Sequence, residues 1–299
     1  MTSHDNLSGW LVVDKPLNLT SAQVVGIAKR KLRILTGGKV KVGHTGTLDP
    51  LATGILPLAI GEATKLSQFF LDAQKSYDFT LYWGQKTDTA DAEGAVIAQS
   101  DVIPNLSDLL AVIPQFLGSQ SQLPPKYSAL KVDGKRAYDL ARNNIDFELK
   151  KRTITIQDLK LITHDIEAKK SQFSVTCSKG TYVRTLGEDI ATACHGYGHL
   201  SALRRTKVGF FSQEHAIFPD ICEKLVYKAI LGITEPLNGI SAIHIDDHQE
   251  KALRFGQSII WQENFPDAII FPALNDNQSI VALVSFDTGR IIPKRIFNL

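Results

Sequence analysis

From Gly43 to Ile60 the chain reads GHTGTLDPLATGILPLAI, an apolar-rich stretch in which Asp49 is the lone acid. A run this poor in charge reads as core, so whatever this chain folds into must bury the stretch and still accommodate one carboxylate. Gly43 and Gly46 flank His44 and Thr45, giving the backbone ahead of Asp49 conformations closed to other residues. Pro50 disfavours the α region at Asp49. Asp followed by Pro is also how a helix begins, with the carboxylate as N-cap and proline in the first turn. Two readings therefore stand: a helix cap in a tight turn, or a carboxylate held at the lip of an apolar pocket.

Bulk properties narrow the class. The 299 residues suggest one large domain with an appendage, or two domains, at roughly 100–200 residues each. A hydrophobic share of 43% argues for a packed core and against disorder. The first residues, MTSHDNLSGWLVVDK, lack a basic segment followed by an apolar one, so no secretory signal is expected. The longest apolar run, ILPLAI, is far short of the roughly 20 residues that cross a bilayer. Cys177, Cys194 and Cys222 are odd in number and widely spaced, indicating neither a disulfide framework nor a cysteine zinc site. A reduced, cytoplasmic protein is expected. The net charge of +2 says little, but its distribution says more. KRKLR, GGKVK, PPKYSALKVDGKR, the KKR from Lys150 to Arg152, and LRRTK near Arg204 are basic, whereas TDTADAEG and HIDDHQE are acidic. Separated patches suit a protein that grips phosphates on one face, although any one of them could be ordinary solvated surface.

Strand and helix signals alternate irregularly. GWLVVDKP reads as a strand. A helix follows, with Thr20 as N-cap, Gln23 completing a capping box, and Val24, Ala28 and Leu32 at helical spacing. YDFTLYWG is a strand, SDLLAVIPQFLG a short helix ended by glycine whose proline marks a kink or an early stop, and FELKKRTITIQDLKLITHDI one long or two short strands. SQFSVTCSKG is a further strand and TYVRTLGEDIATAC a helix. Without regular βαβ alternation, the pattern predicts an α+β fold. Beyond about Pro236, short apolar segments separated by turn signals predict a small β-rich module. There DTGR marks a hairpin with a three- to four-residue loop.

Other constellations are weak. CHGYGH spaces His195 and His199 four apart, but Gly196 and Gly198 work against a helix there, and no third metal ligand is indicated. Asp88, Asp91 and Glu93 lack the alternating oxygen ligands of a calcium loop and read as a solvated turn. No P-loop or G-x-G-x-x-G occurs, so no nucleotide cofactor is implied. Arg184 could pair with Glu188 one helical turn on, or point inward to hold a carboxylate ionised beside Leu48, Leu51 and Ile55.

Taken with its continuation to Lys65, the Asp49 segment resembles the signature of the TruB family of tRNA pseudouridine synthases, bacterial enzymes that isomerise uridine 55 in the tRNA T-loop. GWLVVDKPLNLTSAQVV, KSYDFTLYWGQKTDTADAEG, QLPPKYSALKVDGKRAYDLAR, CSKGTYVRTLGEDI and GHLSALRRTKVG resemble further family motifs, in family order from Gly9 to Gly209. One departure is Asn18, where the family usually has glycine; Asn tolerates the left-handed conformation that glycine would supply. The resemblance implies a mixed or antiparallel-sheet pseudouridine synthase domain over residues 1–238, with an RNA-gripping loop at about 123–152. It also implies, less distinctly, a PUA-like RNA-binding domain over 239–299.

The resemblance assigns roles as well. Asp49 would be the nucleophile, paired with Arg184; Tyr77 would stack on a flipped uracil, with Tyr182 close to the target nucleotide. His44 would contact the RNA where the base leaves its stack, and Leu203 would line the pocket. Lys15, Lys126, Lys131, Lys135, Arg136 and Arg142 would meet phosphates. The reaction needs no cofactor and no metal. The expected partner is tRNA, at its T-loop and T-stem, with no membrane, guide RNA or obligate protein partner. Asp91 would be a structural acid near the site. Rival readings are an N-glycoside hydrolase, which generally needs two facing acids, a non-catalytic RNA-binding or tRNA-folding module, and a related synthase acting on another RNA.

Overall fold

The computed structural model describes residues 7–128, 130–132, 134–143, 145–218, 223–263 and 269–299; the first six residues, Cys222 and the side chain of Lys131 lie outside the described residues. Strand β1 (Gly9–Lys15) is largely buried and leads through Asn18, at φ 65°, into α1 (Ser21–Thr36). Asn18 thus takes the left-handed geometry the turn demands. Thr20 and Gln23 form the expected capping box, and Val24, Ala28 and Leu32 are buried.

The chain then forms β2 (Val42–His44) and β3 (Ala52–Ile60). No helix follows Asp49, so the capping reading is overturned. The Ala52 amide donates to the Asp49 carbonyl at 3.0 Å, closing a turn with Pro50 at its second position that feeds straight into β3. The physical reason lies downstream: from Ile55 to Ile60 the strand is buried on both faces, and a short continuous apolar run satisfies that better than an amphipathic helix would.

Next come α2 (Ser67–Asp72), β4 (Lys75–Trp83) and a small hairpin, β5 (Gln85–Thr87) with β6 (Val96–Gln99). Helix α3 (Leu106–Val112) tightens into a 3-10 turn over Ile113–Phe116 with Pro114 near its start. Gly118 does not end that helix but opens β7 (Gly118–Gln122). The loop beyond carries β8 (Lys131–Val132), β9 (Lys135–Arg136) and α4 (Ala137–Arg142). A single long strand, β10 (Arg152–Asp165), pairs with β11 (Lys170–Cys177). Helix α5 (Val183–Ala193) precedes β12 (Gly198–Val208), β13 (Phe211–Ser212), β14 (Ala216–Ile217) and α6 (Glu223–Lys228). Between α5 and β12 the backbone is irregular, with His195 at φ 60°, and the His199 ring bonds the Gln85 carbonyl at 3.0 Å.

The main sheet runs β14-β1-β3-β12-β4-β11-β10-β7, with β2 beside β3 and β13 beside β12. Within this sheet, among the described residues, only β1/β14 and β3/β12 pair parallel, giving the mixed sheet of an α+β fold. Two apolar clusters pack against it. One gathers β4, β10, β11, α3 and α5; the other gathers β1, β3 and α1. A second sheet of β15 (Ile243–His244), β16 (Ile259–Ile260), β17 (Ile270–Leu274), β18 (Ile280–Asp287) and β19 (Arg290–Ile296) has the order β15-β17-β18-β19-β16, with helix α7 (Asp247–Arg254) against it. Its DTGR hairpin closes with two residues, not three or four, because Thr288 (φ 44°) and Gly289 (φ 77°) both adopt the positive angles that match strand twist. Ile280, Leu283 and Phe297 pack with Trp10, Phe70 and Phe211, joining the second sheet to the first. Lys65 and Glu62 tie the end of the chain there, to the Ile296 carbonyl at 2.6 Å and the Asn298 amide at 2.8 Å.

Candidate active site

Asp49 sits on the connector between β2 and β3, at the centre of the main sheet, and its backbone is held from several sides. Ser21, at the start of α1, bonds the Leu48 amide (2.8 Å) and the Leu48 carbonyl (3.0 Å). The Pro50 carbonyl accepts from the Asn18 amide (2.9 Å) and from Lys15 Nζ (3.2 Å). Arg205, on β12, donates from Nε to the Ile55 carbonyl (2.7 Å) and from Nη2 to the Gly46 carbonyl (3.1 Å). Residues on both sides of the acid are thereby tied to the sheet and to α1, while its side chain stays 45% exposed.

Lys15 corrects an expectation. It is fully buried, and its ammonium is also shared with the carbonyls of Pro16 (2.9 Å) and Leu19 (2.7 Å), so all three donors are engaged and none is left for a phosphate. Burial drives its pKa down to about 8; Asp49 opposes the shift and Arg205 adds to it. The residue is a clamp on the Asp49 turn. Lys75 is built alike, with its ammonium on the carbonyls of Phe70, Leu71 and Ala73 and its pKa lowered by burial to about 8.

Arg184 lies in the first turn of α5 with Tyr182 at the N-cap, and its guanidinium is drawn inward. Nη2 stands 3.0 Å from Asp49 Oδ2 and donates to the Tyr127 carbonyl at 2.9 Å. Nη1 reaches the Thr89 carbonyl at 3.0 Å and Asp91 Oδ2 at 3.2 Å. The surface alternative fails, since Glu188 pairs with Lys86. Asp91 is likewise not a solvated turn residue. It is buried and fully used: Oδ1 accepts from the Thr89 hydroxyl (2.6 Å) and the Glu93 amide (3.1 Å), while Oδ2 faces Arg184. An arginine with two carboxylates and two carbonyls around it is compensated, which is what allows it to be buried.

Register brings the other candidates to the acid. Leu203 on β12 pairs with Ala52 on one side and Phe79 on the other; two residues on, Arg205 pairs with Gly54 and Tyr77. Asp49, Tyr77, Tyr182, Arg184, Leu203 and Arg205 thus line one cavity of about 330 Å³, within the range of small-ligand sites. Asp49 also lines a groove of about 720 Å³ with Asp91, Thr53, Asp78, Thr80, Ser201 and Arg204. The carboxylate therefore borders both cavities, which also share Ala52, Arg184 and Leu203. Burial pushes the phenols of Tyr77 and Tyr182 above the ordinary tyrosine range. His44, on β2, accepts a long bond from the Gly46 amide (3.4 Å) and lines neither cavity; burial and the neighbouring Arg205 lower its pKa. Lys126, Lys135, Arg136 and Arg142 are exposed on the 123–152 segment, Arg142 over the Tyr138 ring at 4.4 Å. Among the described residues, no three acids, histidines or cysteines group as metal ligands.

Arg205 escaped the sequence reading, which placed LRRTK among the basic surface patches. Arg204 is instead paired with Asp14 (2.7 Å), and Arg205 is buried. The period of two that carries Leu203 inward on a strand carries Arg205 with it, and that was the signal available.

Residues 29–183 match the family model described as TruB family pseudouridylate synthase, N-terminal domain. The chain belongs to the TruB family. Its relatives include a tRNA pseudouridine synthase B of Caulobacter vibrioides, 40% identical over 99% of this chain and 97% of that protein. Another, from Zymomonas mobilis, is 45% identical over 86% of each chain. Among solved structures, a Cbf5–Nop10–Gar1 complex contains a chain that superposes with a TM-score of 0.73 at 23% identity, over 97% of this chain and 84% of that one. An H/ACA ribonucleoprotein bound to a substrate RNA containing 2′-deoxyuridine gives the same TM-score at 21% identity, over 97% and 85%. These place the TruB-family chain in that fold.

Proposed function

We propose that this protein isomerises uridine 55 in the T-loop of tRNA to pseudouridine, with Asp49 as the nucleophilic carboxylate. The observation that carries the reading is the Asp49–Arg184 ion pair at 3.0 Å, set at the mouth of the Tyr77–Leu203–Tyr182 pocket. Isomerisation breaks the N1–C1′ bond and makes a C5–C1′ bond; C5 gives up one proton and N1 gains one, so nothing is oxidised or consumed. The target base leaves its stack and enters the pocket. There Tyr77 and Leu203 hold the detached uracil, while the carboxylate divides a difficult transfer into two easier steps. Arg184 fixes the orientation of the acid before the substrate arrives. His44 contacts the RNA beside the emptied stack. Lys126, Lys131, Lys135, Arg136 and Arg142 meet phosphates of the T-arm, giving salt-sensitive affinity rather than choice of site. Residues 239–299 form the PUA-like RNA-binding domain, and the enzyme acts alone in the cytoplasm.

The test is to incubate the purified chain with unmodified tRNA transcript, map pseudouridine by position, and assay free uracil. Pseudouridine at position 55 with no uracil release is expected, and Asp49→Asn should abolish it while tRNA binding stays within about threefold of the parent. Uracil release would mean hydrolysis instead. Loss of binding in step with activity would reduce Asp49 to a structural role.

A further inference from the structure

Leu17, in the loop between β1 and α1, is 53% exposed and lines the groove of about 720 Å³ beside Asp49 and Leu51. A single exposed leucine needs no explanation of its own. What sets this one apart is how firmly its backbone is held. The ring of Pro16 fixes φ on one side, and Asn18 takes the left-handed geometry, at φ 65°, on the other. The Lys15 ammonium bonds the carbonyls of Pro16 (2.9 Å), Leu19 (2.7 Å) and Pro50 (3.2 Å), and the Asn18 amide donates to the same Pro50 carbonyl at 2.9 Å. Loop and Asp49 turn are therefore one unit, with an apolar side chain held at a fixed place relative to the carboxylate. Ile162, the other large exposed apolar residue of the groove, sits on β10, three strands from β12 and about 14 Å away. The lining itself favours bases over phosphates. Among the described residues its cations are Arg184, paired with Asp49 and Asp91, and Arg204, which donates twice to Asp14 at 2.9 and 2.7 Å. Asp78 lines it too, so acids outnumber the cations and phosphates are repelled. His44 lines neither cavity, so a group that enters a base stack from the groove must come from another segment.

We propose that Leu17 is the wedge for base extrusion: when the target nucleotide swings into the pocket, this side chain enters the gap left in the stack and packs against the neighbouring base, so that the stack cannot close again. The role rests on the uridine-isomerising function proposed above. Extruding a base costs its stacking, and apolar side chains inserted between base steps are a general means of holding nucleic acid open. Leu17 offsets the cost by burying, against a base face, apolar surface that the free protein leaves in water. A wedge has to be stiff, since a side chain on a mobile loop would retreat before the base did, and the bonds from Lys15 and Asn18 supply the stiffness. It has also to stand next to the acid, because the gap opens where the reacting nucleotide leaves the stack; the loop's ties to Pro50 put it there. The outer half of the side chain is bare in the free protein, so shortening it changes extrusion and leaves folding nearly untouched.

The experiment uses the full chain with unmodified tRNA transcript, as parent, Leu17→Ala and Leu17→Met. Leu17→Ala should melt within about 2 °C of the parent, as a surface change does. Its single-turnover rate of pseudouridine formation at saturating tRNA should fall about tenfold, the size expected when most of one leucine's burial is lost. Leu17→Met, apolar and of similar volume, should keep the rate within about threefold of the parent. A second measurement separates extrusion from chemistry. With Asp49→Asn, expected to bind RNA without reacting, 2-aminopurine placed on the 3′ side of the target in a T-arm hairpin should brighten as its neighbour leaves the stack. Adding Leu17→Ala should cut that rise, at saturating protein, to below about half. The wedge is refuted if Leu17→Ala keeps a rate within about twofold of the parent, if Leu17→Met is as slow as the alanine variant, or if its melting temperature falls in step with its rate. An unchanged 2-aminopurine signal with and without the leucine refutes it equally. A parent that makes no pseudouridine overturns the function itself and this role with it, whereas an active parent with an unaffected Leu17→Ala overturns only the wedge.

Discussion

Replacing Lys15 by methionine separates a clamp from a phosphate contact, and the structure sets the magnitude. The ammonium loses its proton near pH 8 in the folded chain against 10.5 for an ordinary lysine, chiefly because burial disfavours the charge. Between those values the unfolded chain binds the extra proton, so stability rises with pH. The whole difference is about 3 kcal/mol, of which about 2 kcal/mol falls between pH 7.5 and 9.5. Lys75, also near 8, adds a like amount and keeps it in the variant. Urea denaturation at the two pH values should therefore show the parent gaining about 2 kcal/mol more than Lys15→Met over that interval. At pH 7.5 relief of the buried charge is offset by carbonyls of Pro16 and Leu19 left without their donor, so the variant still folds. Its Asp49 turn, deprived of one tie to Pro50, should form pseudouridine at least tenfold more slowly. The salt dependence of tRNA binding should not change, whereas losing a phosphate contact would reduce the slope of log K against log salt by about one. Parallel stability profiles for the two proteins, or a shallower salt slope in the variant, would refute the reasoning.

Arg184→Lys swaps a fork that spans two carboxylates and two carbonyls for a compact point charge. It should cost about 3 kcal/mol in chemical denaturation and at least a hundredfold in single-turnover rate, with a smaller effect on tRNA affinity. Gly54→Ala should cost about 3 kcal/mol or more, because Gly54 sits at φ 102° and a methyl there would run into the Arg205 carbonyl oxygen; the thermal melt reads this directly. Ser171→Ala strands the Trp83 indole N–H (2.7 Å) and the His164 ring (2.8 Å), so it should lower stability by about 1–3 kcal/mol while leaving the pseudouridine rate unchanged below the melt.

Much of this was legible in the sequence because it is encoded locally. The capping box at Thr20 and Gln23, the burial of Val24, Ala28 and Leu32, and the left-handed Asn18 all follow from chemistry within a few residues. The mixed order of strands and helices likewise announced an α+β sheet. What was misread depends on distant partners. Asp49-Pro50 has the local look of a helix start, and only the pairing of β3 with β1, β2 and β12 makes the following segment a strand. Lys15 and Arg205 look like surface cations in their own neighbourhoods. They are buried because backbone carbonyls from other segments, Pro50 for one and Gly46 and Ile55 for the other, converge on them. Asp91, from a stretch read as solvent-facing, is turned inward by Arg184, 93 residues along the chain.

The cations of this molecule accordingly divide by what has used up their donors. Lys15, Lys75 and Arg205 are spent on backbone carbonyls, and Arg184 on carbonyls and two acids; each is buried. A lysine with three carbonyls around its ammonium has no donor left for phosphate, and low-dielectric surroundings shield such contacts from salt. Lys126, Lys135, Arg136 and Arg142 are exposed, and they lie on the 123–152 segment rather than on the strands of the main sheet. In the function proposed above, holding the acid and holding RNA fall to different charges on different elements. That division follows from the geometry of Asp49. A carboxylate that must be aimed needs partners that cannot be drawn away by a polyanion, and burying their donors against backbone oxygens removes them from competition.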